Sequence, residues 1–69
     1  MYIIKFFNPG DLEINCIRAD RLLSAKEMAI NELRSNLQAC YADIFRGEEL
    51  ILGVRISENG ISEEWNPNK

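Results

Sequence analysis

The sequence has no histidine and only two cysteines. The usual general base of an enzyme is therefore absent, and carboxylate, thiol, amine or phenol groups would have to do its work. Cys16 and Cys40 form no CxxC pair, so the sequence predicts neither a disulfide scaffold nor a metal framework. We expect both thiols to be structural, with Cys16 on the apolar face of a strand and Cys40 beside the helix. No enzymatic activity, metal or cofactor is predicted.

Long hydrophobic runs are also lacking. No segment approaches the roughly 18 apolar residues that indicate a membrane span. The first ten residues, MYIIKFFNPG, contain neither a basic leader nor a small-residue cleavage site, so they indicate a strand and not a signal peptide. Two lone cysteines without an export signal favour a reducing compartment, and the expected location is the cytoplasm.

Clusters of basic residues are missing as well. The net charge is -3, and residues 1–46 are balanced, so all the excess acid lies from residue 47 onward. The acidic surface predicted there consists of Glu48, Glu49, Glu58, Glu63 and Glu64. Phosphate backbones are bound mainly by clustered Lys and Arg, so a nucleic-acid partner is not favoured. Adjacent glutamates on a strand point to opposite faces, which argues against a shared cation.

With 69 residues, the chain is expected to form one domain over residues 1–65, followed by a polar tail at 66–69. A domain of this size buries only about 60% of the surface that its unfolded chain exposes. Its stability is therefore expected to be marginal. Small folds without disulfides or metals are commonly stabilised by association.

Two strands are predicted near the start of the chain. Residues 2–7 are β-branched or aromatic except for Lys5, and the turn formers Asn8-Pro9-Gly10-Asp11 follow them. Residues 12–18 alternate in polarity, which would place Leu12, Ile14 and Cys16 on one face. A hairpin of these two strands is the expected arrangement.

A helix is predicted over about residues 25–45. Ser24 and Glu27 have the spacing of a capping box, and Leu23 and Met28 that of a hydrophobic staple. An apolar stripe with helical spacing follows at Ile30, Leu33, Leu37, Tyr41 and Ile44. Gly47 would end the helix in the left-handed conformation.

A second hairpin is predicted at the C-terminal end. Residues 49–57 form one strand, and Asn59-Gly60 is a strong signal for a two-residue type I′ turn. This turn would pair Arg55 with Glu64 and Val54 with Trp65, which puts the indole beneath the helix. The resulting fold class is α+β: a two-layer ββαββ arrangement, with one helix on one face of a four-stranded, mostly antiparallel sheet. The first and third strands are the most apolar and are expected inside the sheet, with the other two at its edges.

One helix covers one face of such a sheet, and the other face has nothing predicted to cover it. If Tyr2, Ile4 and Phe6 face the helix, the uncovered face carries Ile3, Lys5, Phe7, Ile17, Ile51 and Arg55. Large apolar patches usually mark interfaces. The sequence therefore predicts a small protein-interaction or regulatory module, self-associating as a homodimer through this face.

Other partners are also compatible with the sequence. A different protein could cover the same face. Single-stranded nucleic acid could stack on Phe7 beside Lys5 and Arg55. The acidic residues of the last hairpin could instead bind a basic partner, in the manner of a small inhibitor or antitoxin.

Overall fold

A computed structural model describes residues 1–67 of the chain. The elements, in chain order, are β1 (Tyr2–Phe7), β2 (Glu13–Ala19), α1 (Leu22–Ser35), β3 (Tyr41–Arg46), β4 (Glu49–Ile56) and β5 (Ser62–Trp65). The α+β class is as the sequence predicts, but the sheet has five strands instead of four. All neighbouring strands are antiparallel, in the order β2-β1-β3-β4-β5.

The core lies between α1 and one face of the sheet. Three helix residues, Ala25, Ala29 and Leu33, are buried there. They face five fully buried strand residues: Ile4, Phe6, Ala42, Ile44 and Val54. Alanine at two of the three helix positions lets the helix backbone lie close to the sheet, while Phe6 and the isoleucines fill the space between them. The opposite face of the sheet, turned away from α1, is called the outer face below.

The predicted helix continues ten residues past the observed end, because α1 ends at Ser35 and residues 41–46 form β3. Asn36 ends the helix: its amide nitrogen Nδ2 donates to Glu32 Oε2, 3.3 Å away, and its Oδ1 accepts the backbone N–H of Gln38 at 3.0 Å. Leu37, assigned to the apolar stripe, is 98% exposed. Tyr41 and Ile44 fit a helical stripe by spacing, yet the segment alternates with period two, as a strand does.

The predicted start of the helix is also wrong. Arg21 is the N-cap residue, and no side chain makes a capping hydrogen bond there. Ser24 lies inside the first turn, so it cannot form the predicted box with Glu27. Leu23 and Met28, the predicted staple, are 68% and 40% exposed. The spacing of the motif is present, but the chain enters the helix three residues earlier than the motif requires.

Gly47 belongs to a hairpin and not to a helix end. Arg46 pairs with Glu49, so a two-residue turn at 47–48 joins β3 to β4, and Gly47 has φ 64°. A positive φ at the first central position of a two-residue hairpin turn favours glycine. The left-handed conformation was correctly predicted for this glycine, but the element before it was not.

The last hairpin is shifted by one residue from the predicted register. The backbone N–H of Ser57 donates to the carbonyl of Ile61, and the N–H of Gly60 donates to the carbonyl of Ser57. The loop therefore has three residues, with Gly60 at φ 80°. Arg55 pairs with Glu63, and Gly53 pairs with Trp65. Since a one-residue slip moves every side chain to the other face, Trp65 lies on the outer face and not beneath the helix.

The faces of β2 are opposite to those predicted from Asn15 to Ile17, whereas Ile14 packs against the core and Glu13 lies on the outer face, as the alternation predicts. Ile17 pairs with the buried Ile4 and packs against the core, so it does not belong to the outer face. Cys16 pairs with Lys5 and is exposed, and Leu12, placed on the covered side by the alternation, is 67% exposed. A bulge between Phe6 and Phe7 shifts the pairing, which a strict alternation of β2 does not anticipate.

Cys40 precedes β3 and is exposed, and not packed beside a helix. None of the helices among residues 1–67 is long and apolar enough to cross a membrane. Asn66 and Pro67 follow β5 and are exposed. The remainder of the predicted polar tail, residues 68 and 69, lies outside the described residues.

Candidate functional site

The outer face is the most distinctive surface of the molecule, because partly exposed aromatic side chains from three strands meet on it. Strand alternation and cross-strand pairing place twelve residues there: Ile3, Lys5, Phe7, Glu13, Cys16, Arg18, Tyr41, Asp43, Phe45, Gly53, Arg55 and Trp65. Glu63 joins them as the cross-strand partner of Arg55. Ile51 joins them by alternation with Gly53, beside a register shift between Ile44 and Phe45 that puts Leu50 opposite Phe45. No element of the described chain packs over this surface, since α1 lies on the other side.

Three aromatic rings form a row across β1, β3 and β5. The rings of Phe7 and Tyr41 are stacked, with centroids 5.0 Å apart and planes 14° apart. Tyr41 and Trp65 lie 6.5 Å apart at 58°. Such pairs contribute about 0.5–1.5 kcal/mol beyond the burial of their area. The row is therefore a rigid, amphipathic surface, with Trp65 still 39% exposed.

Tyr41 also holds the turn between β1 and β2. Its hydroxyl donates a hydrogen bond to Asp11 Oδ1 at 2.7 Å. Asp11 has φ 62°, an uncommon conformation for a residue with a side chain, and Asn8 Oδ1 supports the same turn by accepting the N–H groups of Gly10 and Leu12. The hydrogen bond to Asp11, followed by burial and nearby negative charge, raises the pKa of Tyr41 to about 12. The phenol is thus neutral at physiological pH and fixed in place.

The two cationic side chains predicted on this face are both engaged. The Lys5 amine lies 3.8 Å from Glu13 Oε1 and 5.2 Å from the centroid of the Phe45 ring. Arg55 Nε donates to Glu63 Oε1 at 3.0 Å. Pairs this exposed contribute at most about 1 kcal/mol each to stability. Their main effect is to cancel charge locally.

Asp43 occupies the middle of the outer face. It belongs to the central strand, and its cross-strand partners are Lys5 on β1 and Gly53 on β4. Burial raises the pKa of the Asp43 carboxyl above its usual value. None of the ion pairs found among residues 1–67 includes Asp43.

The concave parts of this face are shallow. One depression of about 490 Å³ is lined by Cys40, Tyr41, Arg55, Glu63, Glu64 and Trp65. A smaller one of about 260 Å³ lies at the other end and is lined by Ile3, Lys5, Phe45, Gly47 and Glu48. Small-molecule sites usually enclose most of their ligand. The two hollows of the outer face are open and lie on either side of the Asp43 carboxylate. This shape suits contact with another large molecule better than enclosure of a small ligand. Within the described part of the chain, no three metal-ligating side chains are close enough to hold an ion.

Five of the six residues predicted for the interface lie on the outer face. Ile3, Lys5 and Phe7 alternate with the buried residues of β1, and Arg55 pairs with Tyr41. Ile51 is partly buried and does not pack against the core. Ile17 is the exception, as described above.

The predicted acidic surface is divided among different parts of the molecule. Glu48 and Glu49 lie at one end of β4, and Glu58 lies in the loop at its other end. Glu63 pairs with Arg55 on the outer face, whereas Glu64 Oε1 lies 3.2 Å from the amine of Lys26 on the helix. The five carboxylates therefore do not form one surface.

The sequence interpretation missed the most important residues of the outer face. Tyr41, Asp43 and Phe45 had been assigned to the helix, and Trp65 to the covered face. One available signal was the alternation in YADIFR, with Ala42 and Ile44 as its buried positions. Another was the turn former Asn36, four residues after Glu32, where the helix ends.

Comparison of the chain with models of protein families, with curated protein sequences and with solved structures found no match.

Proposed function

We propose that this protein is a small non-enzymatic interaction module that self-associates through the outer face of its sheet. The observation that carries the proposal is the row of Phe7, Tyr41 and Trp65 on a sheet face that no part of the described chain covers. Tyr, Trp and Phe are enriched at the centres of interfaces because they bury much area with little loss of conformational entropy. The cytoplasm is the proposed setting, since a reducing compartment suits two exposed free thiols.

The size of the outer face is sufficient for a dimer. Five strands spaced about 4.8 Å apart, each about six residues long at about 3.3 Å per residue, span roughly 500 Å². Two such faces in contact would remove about 1,000 Å² from water, which reaches the lower limit of specific interfaces. A covered face would also add stability to a domain of 69 residues.

The charges of the outer face favour a second copy as the partner. Lys5 and Arg55 are each paired with an acid of the same face, Glu13 and Glu63, so most of its charge cancels locally. A surface with both signs interspersed and little net charge can meet its own copy without strong repulsion. Isologous dimers require this self-complementarity.

Single-stranded nucleic acid is the second candidate, because a row of aromatic rings on an open sheet can stack bases. The charges give it less support. Lys5 and Arg55 are already paired with Glu13 and Glu63, and the net charge of the chain is -3. Binding to a phosphate backbone would require breaking these pairs or supplying other cations. An acidic inhibitor of a basic partner is supported less still, because its carboxylates lie apart.

A dilution series followed by amide nuclear magnetic resonance tests the proposal. Signals from β1, β3 and β4 residues of the outer face should shift with concentration, whereas those of the exposed side of α1, such as Glu27 and Asn31, should not. Shifts on the helix instead of the sheet would contradict the proposed surface. If the outer face shows no concentration dependence but responds to an added oligouridine at low salt, the nucleic-acid candidate replaces self-association.

A further inference from the structure

The carboxylate of Asp43 is in an unusual position for a charged group. Its strand is the third of five, and its neighbours along the outer side of that strand are Tyr41 and Phe45. On β4 it faces Gly53, which has no side chain. The carboxylate is therefore surrounded by aromatic side chains and backbone, at the point of the outer face farthest from its edges.

Among residues 1–67, no basic side chain forms an ion pair with Asp43. Its cationic cross-strand neighbour is Lys5, whose amine is directed to Glu13 and the Phe45 ring. Beyond Lys5, β2 contributes the Cys16 thiol. On the other side of the sheet, Arg55 of β4 is bound to Glu63 of β5.

The remaining titratable neighbour on the same strand is Tyr41, which is neutral over the physiological range. Asp43 is partly buried already in the single chain, and this burial disfavours its charged form. Covering the outer face would remove the water that still solvates the carboxylate. A buried carboxylate without a partner is costly, so it accepts a proton where it can.

The symmetry of an isologous dimer makes this cost larger. Both copies contribute the same patch to the interface of such a dimer. The residues at the centre of the patch therefore lie near the two-fold axis and close to the same residues of the other copy. Asp43 of one copy would then lie near Asp43 of the other. Two carboxylates that share a small site cannot both ionise without strong repulsion.

We infer that proton uptake by Asp43 controls the outer-face dimer, so that mild acid promotes association and neutral to alkaline pH opposes it. The inference rests on the proposed self-association and adds its regulation. Formation of the dimer takes up one or two protons from solvent, with no other bond made or broken. One proton is taken up if the two Asp43 carboxylates share it, and two protons are taken up if each carboxylate becomes neutral.

The dissociation constant of the dimer, measured by sedimentation between about pH 5 and pH 8, tests the inference with three proteins. For the wild type, the constant should rise at least tenfold from the acid to the alkaline end, the change that accompanies one unit of differential pKa. Asp43→Asn carries a neutral side chain of nearly the same shape, so its dimer should be tight and independent of pH. Asp20→Asn makes the same change at an exposed residue beyond the end of β2 and should behave as the wild type.

The possible outcomes separate the inference from the proposal on which it rests. A wild-type dimer whose dissociation constant does not change with pH, or does not exceed that of Asp43→Asn at the alkaline end, overturns the role of Asp43 and leaves self-association intact. Monomers at every pH in both proteins overturn self-association and the inference with it. Circular dichroism at each pH ensures that the compared species are folded.

Discussion

The indole ring of Trp65 occupies the space that a side chain at Gly53 would need. The two residues are cross-strand partners on β4 and β5, and a Cβ atom built on Gly53 would overlap the indole carbons Cε2, Cζ2 and Cδ2. Gly53 is buried and does not have a positive φ, so its role is to make room and not to supply an unusual backbone conformation. This contact holds the aromatic row at its β5 end.

Gly53→Ala should therefore destabilise the protein by about 1–3 kcal/mol, as other overpacking substitutions do. Urea denaturation gives the free energy of unfolding, and tryptophan fluorescence should show a more solvated indole. The matched experiment repeats the substitution in a Trp65→Leu background. There, alanine should be neutral or stabilise by up to about 1 kcal/mol, because glycine weakens a strand. An equal loss in both backgrounds would show that the indole is not the cause.

The end of the helix can be tested at Asn36. Asn36→Ala removes the hydrogen bonds to Glu32 and Gln38 and should cost about 1 kcal/mol. A helix continuing to residue 45 would respond in the opposite direction, because alanine has the higher helix propensity. Ser24→Ala serves as the control. Since Ser24 makes no capping bond, the free energy of unfolding of this variant should differ from that of the wild type by less than about 0.5 kcal/mol.

The Tyr41–Asp11 hydrogen bond predicts a late titration of the phenol. In a Tyr2→Phe background, ultraviolet absorbance should show Tyr41 ionising near pH 12. Asp11→Asn should lower this pKa toward 10, because it removes the carboxylate while asparagine tolerates the left-handed conformation of residue 11. An unchanged titration would show that another group causes the shift.

The same bond has a consequence for stability. The folded-state pKa of Tyr41 is raised, so the hydrogen bond to Asp11 makes its full contribution to folding stability below about pH 10. This contribution is lost as the pH rises toward about 12. The stability difference between wild type and Asp11→Asn should therefore shrink over this interval. Urea midpoints at several alkaline pH values measure it, and a difference that grows with pH would contradict the assignment.

The sequence indicates the first strand well, because its residues are mostly β-branched or aromatic and turn formers follow it. It indicates the last hairpin mainly through the Asn59-Gly60 turn signal between β4 and β5. It indicates the helix only in part. Leu37, Tyr41 and Ile44 fit a helical period, while Ala42 and Ile44 fit the period of a strand, so the apolar pattern alone does not show where α1 ends. The interactions that mark the end of α1 are the hydrogen bonds of the Asn36 side chain, and these depend on local geometry.

The outer face shows the same limit. Ile3 and Phe7 could be assigned to it because the alternation of β1 is simple. Trp65 could not, because a three-residue loop and a two-residue loop around Asn59-Gly60 differ by one residue and reverse every face of β5. Ile17 was misplaced for a related reason, since a bulge shifts the pairing of β2 with β1.

Sedimentation equilibrium over a hundredfold concentration range, at about pH 5 and at neutral pH, tests the central claim most directly. The wild type should associate to a dimer, and Phe7→Asp should remain a folded monomer, because it puts a charge into the aromatic row. Leu37→Asp introduces the same charge at a residue that is 98% exposed, lies in the loop between α1 and β3 and is not among the outer-face residues, and it should dimerise as the wild type does. A wild type that stays monomeric throughout, or a Phe7→Asp variant that dimerises equally well, would contradict self-association through this face.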